Sequence, residues 1–289
     1  MIRIGPAGWS YKDWEGIVYP ALKPTGFHEA TYLAQHFDTI EINSTFYRPP
    51  EPGIAKNWVR KVSANSRFRF TAKLWRGFTH ERNATADDER QFKGGIDPLV
   101  EAGRLGALLL QFPWLYRNDL ENRAYLFDLQ RRFRDYPLVL EVRHASWNQE
   151  AIFDMLAELG IGLCNIDQPL FAKSIKPSAH AASAVGYMRL HGRNYTNWFA
   201  QNEQTGDRYN YLYSLDELEP WVERARIVSK RARDTYVVTN NHFLGKAVVN
   251  AFELVSFLSE RPVQAPDQLV QHYPVLKQIS AQKTAHETR

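Results

Sequence analysis

At 289 residues, 44% apolar and 24% charged, the chain has the composition of a globular protein with a sizeable core, which excludes a disordered or low-complexity class. Its net charge of +4 is carried by scattered Lys and Arg, so it favours anionic partners only mildly. A single cysteine, Cys164, excludes an internal disulfide, and no run approaches ~20 apolar residues and no cleavage site follows the opening MIRIGPAGWSYKDW, so a cytoplasmic protein without a membrane partner is expected.

Along the chain, short apolar runs alternate with longer amphipathic ones. Strands are predicted over residues 2–7, 39–43, 68–73, 106–111, 138–143, 162–167, 186–191 and 236–241, and helices over 27–35, 54–64, 91–101, 120–133, 150–159, 215–231 and 244–258. Residues 168–185 carry Pro169 and Pro177 and no amphipathic period, which predicts a short or irregular sixth connection. Strands alternating with helices imply parallel βαβ units, and eight of them imply a single TIM-like (β/α)8 barrel, here over residues 1–280 with a polar tail at 281–289. The long connections at 9–26, 74–88, 112–118 and 192–214 then share the C-terminal face, where such barrels carry their sites.

The fifth strand, LVLEVRH, sets the chemistry. Alternation puts Val139, Glu141 and Arg143 on one face, so a carboxylate and a guanidinium point inward together. The same pattern gives Glu41 and Asn43, Thr71 and Lys73, Leu109 and Gln111, Asn165 and Asp167, Arg189 and His191, and Thr239 and Asn241 as the last inward pairs. Barrel interiors are normally filled by branched apolar residues, so polar groups at seven of the eight strand ends describe an equipped mouth. Charged networks also plug barrels for purely structural reasons, but position at the strand ends favours function. Glu41, Lys73, Glu141, Arg143, Asp167 and His191 are the catalytic candidates. Trp9, Tyr11, Asn43, Tyr47, Gln111, Arg189, Asn240 and Asn241 are the substrate-binding ones.

The three carboxylates Glu41, Glu141 and Asp167 are balanced by Lys73, Arg143 and Arg189, so the site is near neutrality without a bound ion. A divalent metal held by Glu41, Glu141, Asp167 and His191 is disfavoured, because no HxH or HExxH spacing occurs and three cations would sit among the ligands. No cofactor is predicted, and the absence of a GxGxxG fingerprint argues against redox work. Lys73 also suits a Schiff base if neighbouring guanidinium groups depress its pKa, although a role as counter-ion to Glu41 or Glu141 is the more common one for such a lysine. Aromatic residues crowd the same end, among them Trp9, Tyr11, Trp14, Tyr47, Trp114, Tyr116, Trp147 and Trp198, and about half are expected only to pack the loops. After the eighth strand, Asn240 to Lys246 opens into a helix whose N–H groups suit a phosphate, with Asn240 or Asn241 as a simple helix cap the other reading.

Taken in order, GPAGWSYKDWEGIVYP, FDTIEINSTFYRPP, FRFTAKLW, LGALLLQFP, LVLEVRHASW, GYMRLHGRN and VVTNNHFLGKAVVNA closely resemble the YecE-like family, domain of unknown function 72, over residues 2–260. The resemblance implies a TIM-barrel-like fold and supplies no established reaction. Pro6-Ala7 stands where that family more usually has Thr or Cys followed by Ser or Ala, so if that turn contacts a ligand through a hydroxyl, the contact is missing here. The residues favour an enzyme of hydrolase or lyase type acting on an anionic ring compound such as a phosphorylated sugar, a nucleotide or a nucleic-acid end. Two other expectations stand beside it: a non-catalytic nucleic-acid-binding protein, and a glycoside hydrolase that uses Glu41 and Glu141 as its carboxylate pair.

Overall fold

The computed structural model describes residues 1–199 and 207–281. Most of the predicted tail at 281–289 and residues 200–206 of the long seventh connection therefore lie outside the described residues. In chain order the elements are β1 (Ile2–Pro6), α1 (Glu29–Leu33), β2 (Thr39–Ile42), α2 (Ser44–Tyr47), α3 (Pro52–Lys61), β3 (Arg69–Lys73), α4 (Arg76–Thr79), α5 (Ala86–Glu101) and β4 (Leu105–Gln111). They continue with α6 (Leu120–Phe133), β5 (Leu138–Glu141), α7 (Glu150–Glu158), β6 (Gly162–Asp167), β7 (Val185–Leu190), α8 (Leu215–Ser229), β8 (Asp234–Thr239), α9 (Lys246–Ser259) and α10 (Asp267–His272).

All eight strands pair in parallel, in the order β1-β8-β7-β6-β5-β4-β3-β2. β1 and β2 close the ring at the mouth alone, through a bridge between Ala7 and Glu41 and a bond from the Gly8 N–H to the Glu41 carbonyl at 2.8 Å. Gly5 permits that closure, since a Cβ there would lie 1.9 Å from the Thr39 carbonyl oxygen. The result is the predicted TIM-like (β/α)8 barrel, with leucine, isoleucine and valine of the strands buried against the surrounding helices. As expected, the sixth connection holds no helix or strand between β6 and β7.

The boundary differences have local causes. α5 starts five residues before the predicted helix because Thr85 and Asp88 form a reciprocal capping box. α8 is capped in the same way by Ser214 and Glu217. β5 and β7 end at Glu141 and Leu190, so Arg143 and His191 stand just past the strand ends. No helix among the described residues is long and apolar enough to cross a membrane.

Strand register corrects the predicted faces of β6 and β8. Cys164 and Ile166 lie beside Tyr187 and Arg189, and Tyr187 and Arg189 lie beside Tyr236 and Val238, so these residues form the interior rows. Asn165, Asp167, Thr239 and Asn241 therefore face outward, between sheet and helices. Both strands are buried on both faces, so hydrophobic alternation carries no information there and a slip of one residue inverts every assignment.

Candidate functional site

β2, β3, β5 and β7 bring one ion network to the mouth. Arg189, wholly buried, donates through Nη1 to Glu141 Oε2 at 2.6 Å and through Nη2 to Glu41 Oε1 at 2.7 Å. The Tyr187 hydroxyl donates to Glu41 Oε2 at 2.8 Å and lies 2.7 Å from Thr71 Oγ1. Glu141 Oε1 takes Arg143 Nη2 at 3.0 Å and His191 Nε2 at 3.2 Å. Asn240 donates to His191 Nδ1 at 3.0 Å, which fixes the neutral ring as its Nε2–H tautomer. Gln111 accepts from Arg189 Nη1 at 3.3 Å.

Burial opposes the charge on Glu141, but Arg189, His191 and Arg143 hold its carboxyl well below the usual range. Burial and the nearby Arg143 push His191 down to about 3, so it is neutral at pH 7. Both carboxylates are fully buried beneath their cations. In this arrangement Glu141 is ionised and each carboxylate is engaged by the Arg189 guanidinium.

Lys73 differs from the rest of the network. Its Nζ lies 3.8 Å from Glu41 Oε1, its side chain is 12% exposed, and among the described residues Nζ donates no direct hydrogen bond, although the backbone N–H and carbonyl both bond to Thr45 Oγ1. Burial, with Arg189 next in weight, pushes its pKa down to about 8 against the pull of Glu41 and Glu141.

Above this floor lies a cavity of about 390 Å³ lined by Tyr11, Asn43, Tyr47, Lys73, Arg208, Tyr209, Asn240 and His242. A second, of about 240 Å³, is lined by His80, Gln111, Trp114, Arg143, Trp198 and their neighbours, and it shares Arg208 and Tyr209 with the first. The two are compartments of one groove across the barrel mouth. Tyr11 stacks on His242 with ring centroids 4.4 Å apart, and its hydroxyl donates to Ala7 and accepts from Asn43. Gly8, at φ 76°, makes room for that ring.

Of the predicted site residues, Glu41, Lys73, Glu141, Arg143, Arg189, His191 and Gln111 meet in the network, and Tyr11, Asn43, Tyr47 and Asn240 line the groove. Three are displaced. Asp167 faces outward and pairs with Arg193 at 2.9 and 3.1 Å. Asn241 is tied to Asn250 and to the Tyr211 carbonyl, and Trp9 packs edge-on against Trp58 of α3. In the segment expected to bind phosphate ahead of α9, Asp13 accepts the Leu244 N–H at 2.6 Å, and Leu244 itself is left-handed at φ 52°. Trp14, Tyr116 and Trp147 are buried loop core, as about half of the aromatics were expected to be, whereas Trp198 lies under Arg143 and lines the second cavity.

Sequence reasoning missed Tyr187, His242, Arg208 and Tyr209. Tyr187 sits two residues before Arg189 on the inward face, so following the alternation one step further back finds it. Arg208 and Tyr209 belong to a long loop whose path no local pattern encodes. Among the described residues, no three His, Cys, Asp or Glu side chains are grouped so as to hold a metal ion.

A family model described as "Protein of unknown function DUF72" matches residues 3–272. The chain is 28% identical to the UPF0759 protein YunF of Bacillus subtilis over 287 residues, covering 93% of this chain and 99% of that protein. It is 27% identical to the UPF0759 protein YecE of Escherichia coli strain K12 over 149 residues, covering 51% and 50%. Among solved structures, a DUF72 family protein from Thermotoga maritima superposes with a TM-score of 0.77 at 30% identity, covering 90% of this chain and 99% of that one. A second, from Enterococcus faecalis, gives 0.77 at 26% identity, covering 90% and 96%.

Proposed function

We propose that this chain, which belongs to the DUF72 family, is an enzyme of hydrolase or lyase type that takes an anionic, ring-containing small molecule into the groove at the barrel mouth, with Lys73 as its reactive group. The observation that carries this reading is the charge balance at the floor. With Asp167 turned outward, the three cations Lys73, Arg143 and Arg189 face only the two carboxylates Glu41 and Glu141, a surplus of one positive charge in a largely buried site. An anionic substrate group supplies the missing charge, and Tyr11, Tyr47 and Tyr209 offer flat faces and hydroxyls for a ring. The carboxylates serve in this reading to hold and neutralise the cations. A glycoside hydrolase would need them exposed to the groove, and a nucleic-acid surface would need the cations spread outside rather than sunk in it.

Thermal unfolding with ribose 5-phosphate and with inorganic phosphate, for the parent and for Lys73→Met, tests the reading. The parent is expected to gain about 2.7 kcal/mol at a hundredfold excess over Kd, and Lys73→Met to lose most of that gain. Lys73→Met leaves Glu41 bonded to Arg189 and Tyr187, so its own fold survives as the reference. Equal stabilisation of both proteins, or of neither, rejects anion binding at this place. Arg189→Ala is unsuitable as a control because it takes the shortest partner from both buried carboxylates at once.

A further inference from the structure

We propose that Lys73 is an imine-forming nucleophile, and that the substrate of the groove is an aldehyde or ketone that also carries the anionic group. This rests on the anion-binding reading above and names the chemistry of the same site. Every other charged group on the floor is committed: Arg189 to two carboxylates, Arg143 to Glu141 and His191 to Glu141 and Asn240. Lys73 alone projects an amine into the cavity with its nearest carboxylate at 3.8 Å, beyond hydrogen-bond reach. At 3.8 Å Lys73 stays within ion-pair range of Glu41, but the pair lacks the direct hydrogen bond that the neighbouring pairs have, which leaves the amine able to meet a ligand. A second observation comes from Asn43, which lines the same cavity and whose buried Oδ1 has no donor among the described residues. It is an acceptor waiting for a hydroxyl, and the carbinolamine formed when an amine adds to a carbonyl has one.

The step balances without a further reactant. The amine lone pair of Lys73 adds to the carbonyl carbon and the C–O π pair moves to oxygen, giving the carbinolamine. The nitrogen lone pair then forms the C=N bond as the C–O bond breaks and water leaves. Of the three protons on the starting ammonium, one stays on the iminium nitrogen and two depart with the water, so the charge at the floor is conserved. The groups that face Lys73 are Glu41 from β2, Glu141 and Arg143 from the β5 end, and Arg189 from β7. The guanidinium groups and burial keep the amine partly neutral near physiological pH, and the electron sink of the iminium then activates adjacent bonds for cleavage or elimination.

Pyridoxal 5′-phosphate, an aldehyde with both a ring and a phosphate, serves as the probe, with sodium borohydride added to reduce any imine and peptide mapping to locate it. With Lys73 at about 8 against 10.5 for an ordinary lysine, its neutral fraction at pH 7 is about 300-fold larger, partly offset by lower basicity, so it should label at least about ten times faster than exposed Lys12, Lys56 or Lys176. Lys73→Arg keeps the charge and should lose that fast label while retaining stabilisation by inorganic phosphate. Labelling of Lys73 no faster than the exposed lysines, while phosphate still stabilises the parent, overturns the imine and leaves the anion reading standing. Fast labelling that inorganic phosphate neither slows nor accompanies with stabilisation supports the imine and removes the anion reading.

Discussion

Replacing Arg189 with Met removes the one group that joins the two buried carboxylates, and the structure sets the size of the effect. Glu41 keeps the Tyr187 hydroxyl at 2.8 Å and Lys73 at 3.8 Å, and Glu141 keeps Arg143 at 3.0 Å and His191 at 3.2 Å. Each carboxylate thus retains a partner but loses its shortest one, so the cost expected is that of breaking a buried pair, about 3–5 kcal/mol near neutral pH. At roughly 2–3 °C per kcal/mol for a chain of this size, Tm falls by about 6–15 °C. The pH dependence has a definite sign. In the parent, Glu141 is held below its ordinary value of 4.5, a contribution to stability that is present above that pH and lost as pH falls through the depressed value. Arg189→Met weakens that depression, so the gap between parent and variant is widest above about pH 5 and closes below it. Urea denaturation across that range measures it, and the double variant Glu141→Gln with Arg189→Met should recover part of the loss. A deficit under ~1 kcal/mol, or one that does not change with pH, would refute the view that this guanidinium balances the floor.

Tyr187→Phe removes the donor from Glu41 Oε2 without changing shape, and a loss of about 1–3 kcal/mol is expected in chemical denaturation; an unchanged midpoint rules out that bond as a support of the network. Glu253, buried on α9 and bonded to Asn250 at 2.6 Å, is pushed up by burial to about 7. Its raised value means that the folded state holds the proton, so its contribution is full below about pH 4.5 and is lost as pH rises through 7. Glu253→Gln keeps the acceptor without the charge, and should therefore stabilise by on the order of 1–3 kcal/mol near pH 8 while having little effect near pH 4; Tm measured at both pH values decides, and a loss at the higher pH contradicts the sign.

The barrel was legible because eight short apolar runs and their intervening amphipathic ones repeat a single unit, and the hot strand ends announced themselves through charges such as Glu141 and Arg143 in otherwise apolar segments. In β2, β3 and β5 the charged group of the strand lies on the inward face, so reading parity from it works. In β6 it does not, because Asp167 finds Arg193 outside the barrel, and in GLCNID and DTYVVT, buried on both sides, parity is set by neighbouring strands. That one-residue ambiguity moved Asp167 into the predicted site and concealed the surplus positive charge. Asp13 at the start of α9 was equally invisible, because it reaches Leu244 across 231 positions of sequence.

The ring is sealed by its two extremities. β1 takes its strand neighbour from β8, with Ile2 beside Thr235 and the Thr235 N–H bonded to the Met1 carbonyl. During synthesis at roughly 5–20 residues per second, some 10–50 s separate the emergence of these two segments. Nascent chains that stop short of residue 234 therefore present an unsatisfied parallel edge at β1, a liability to edge-to-edge association that is removed on that side once the last strand docks.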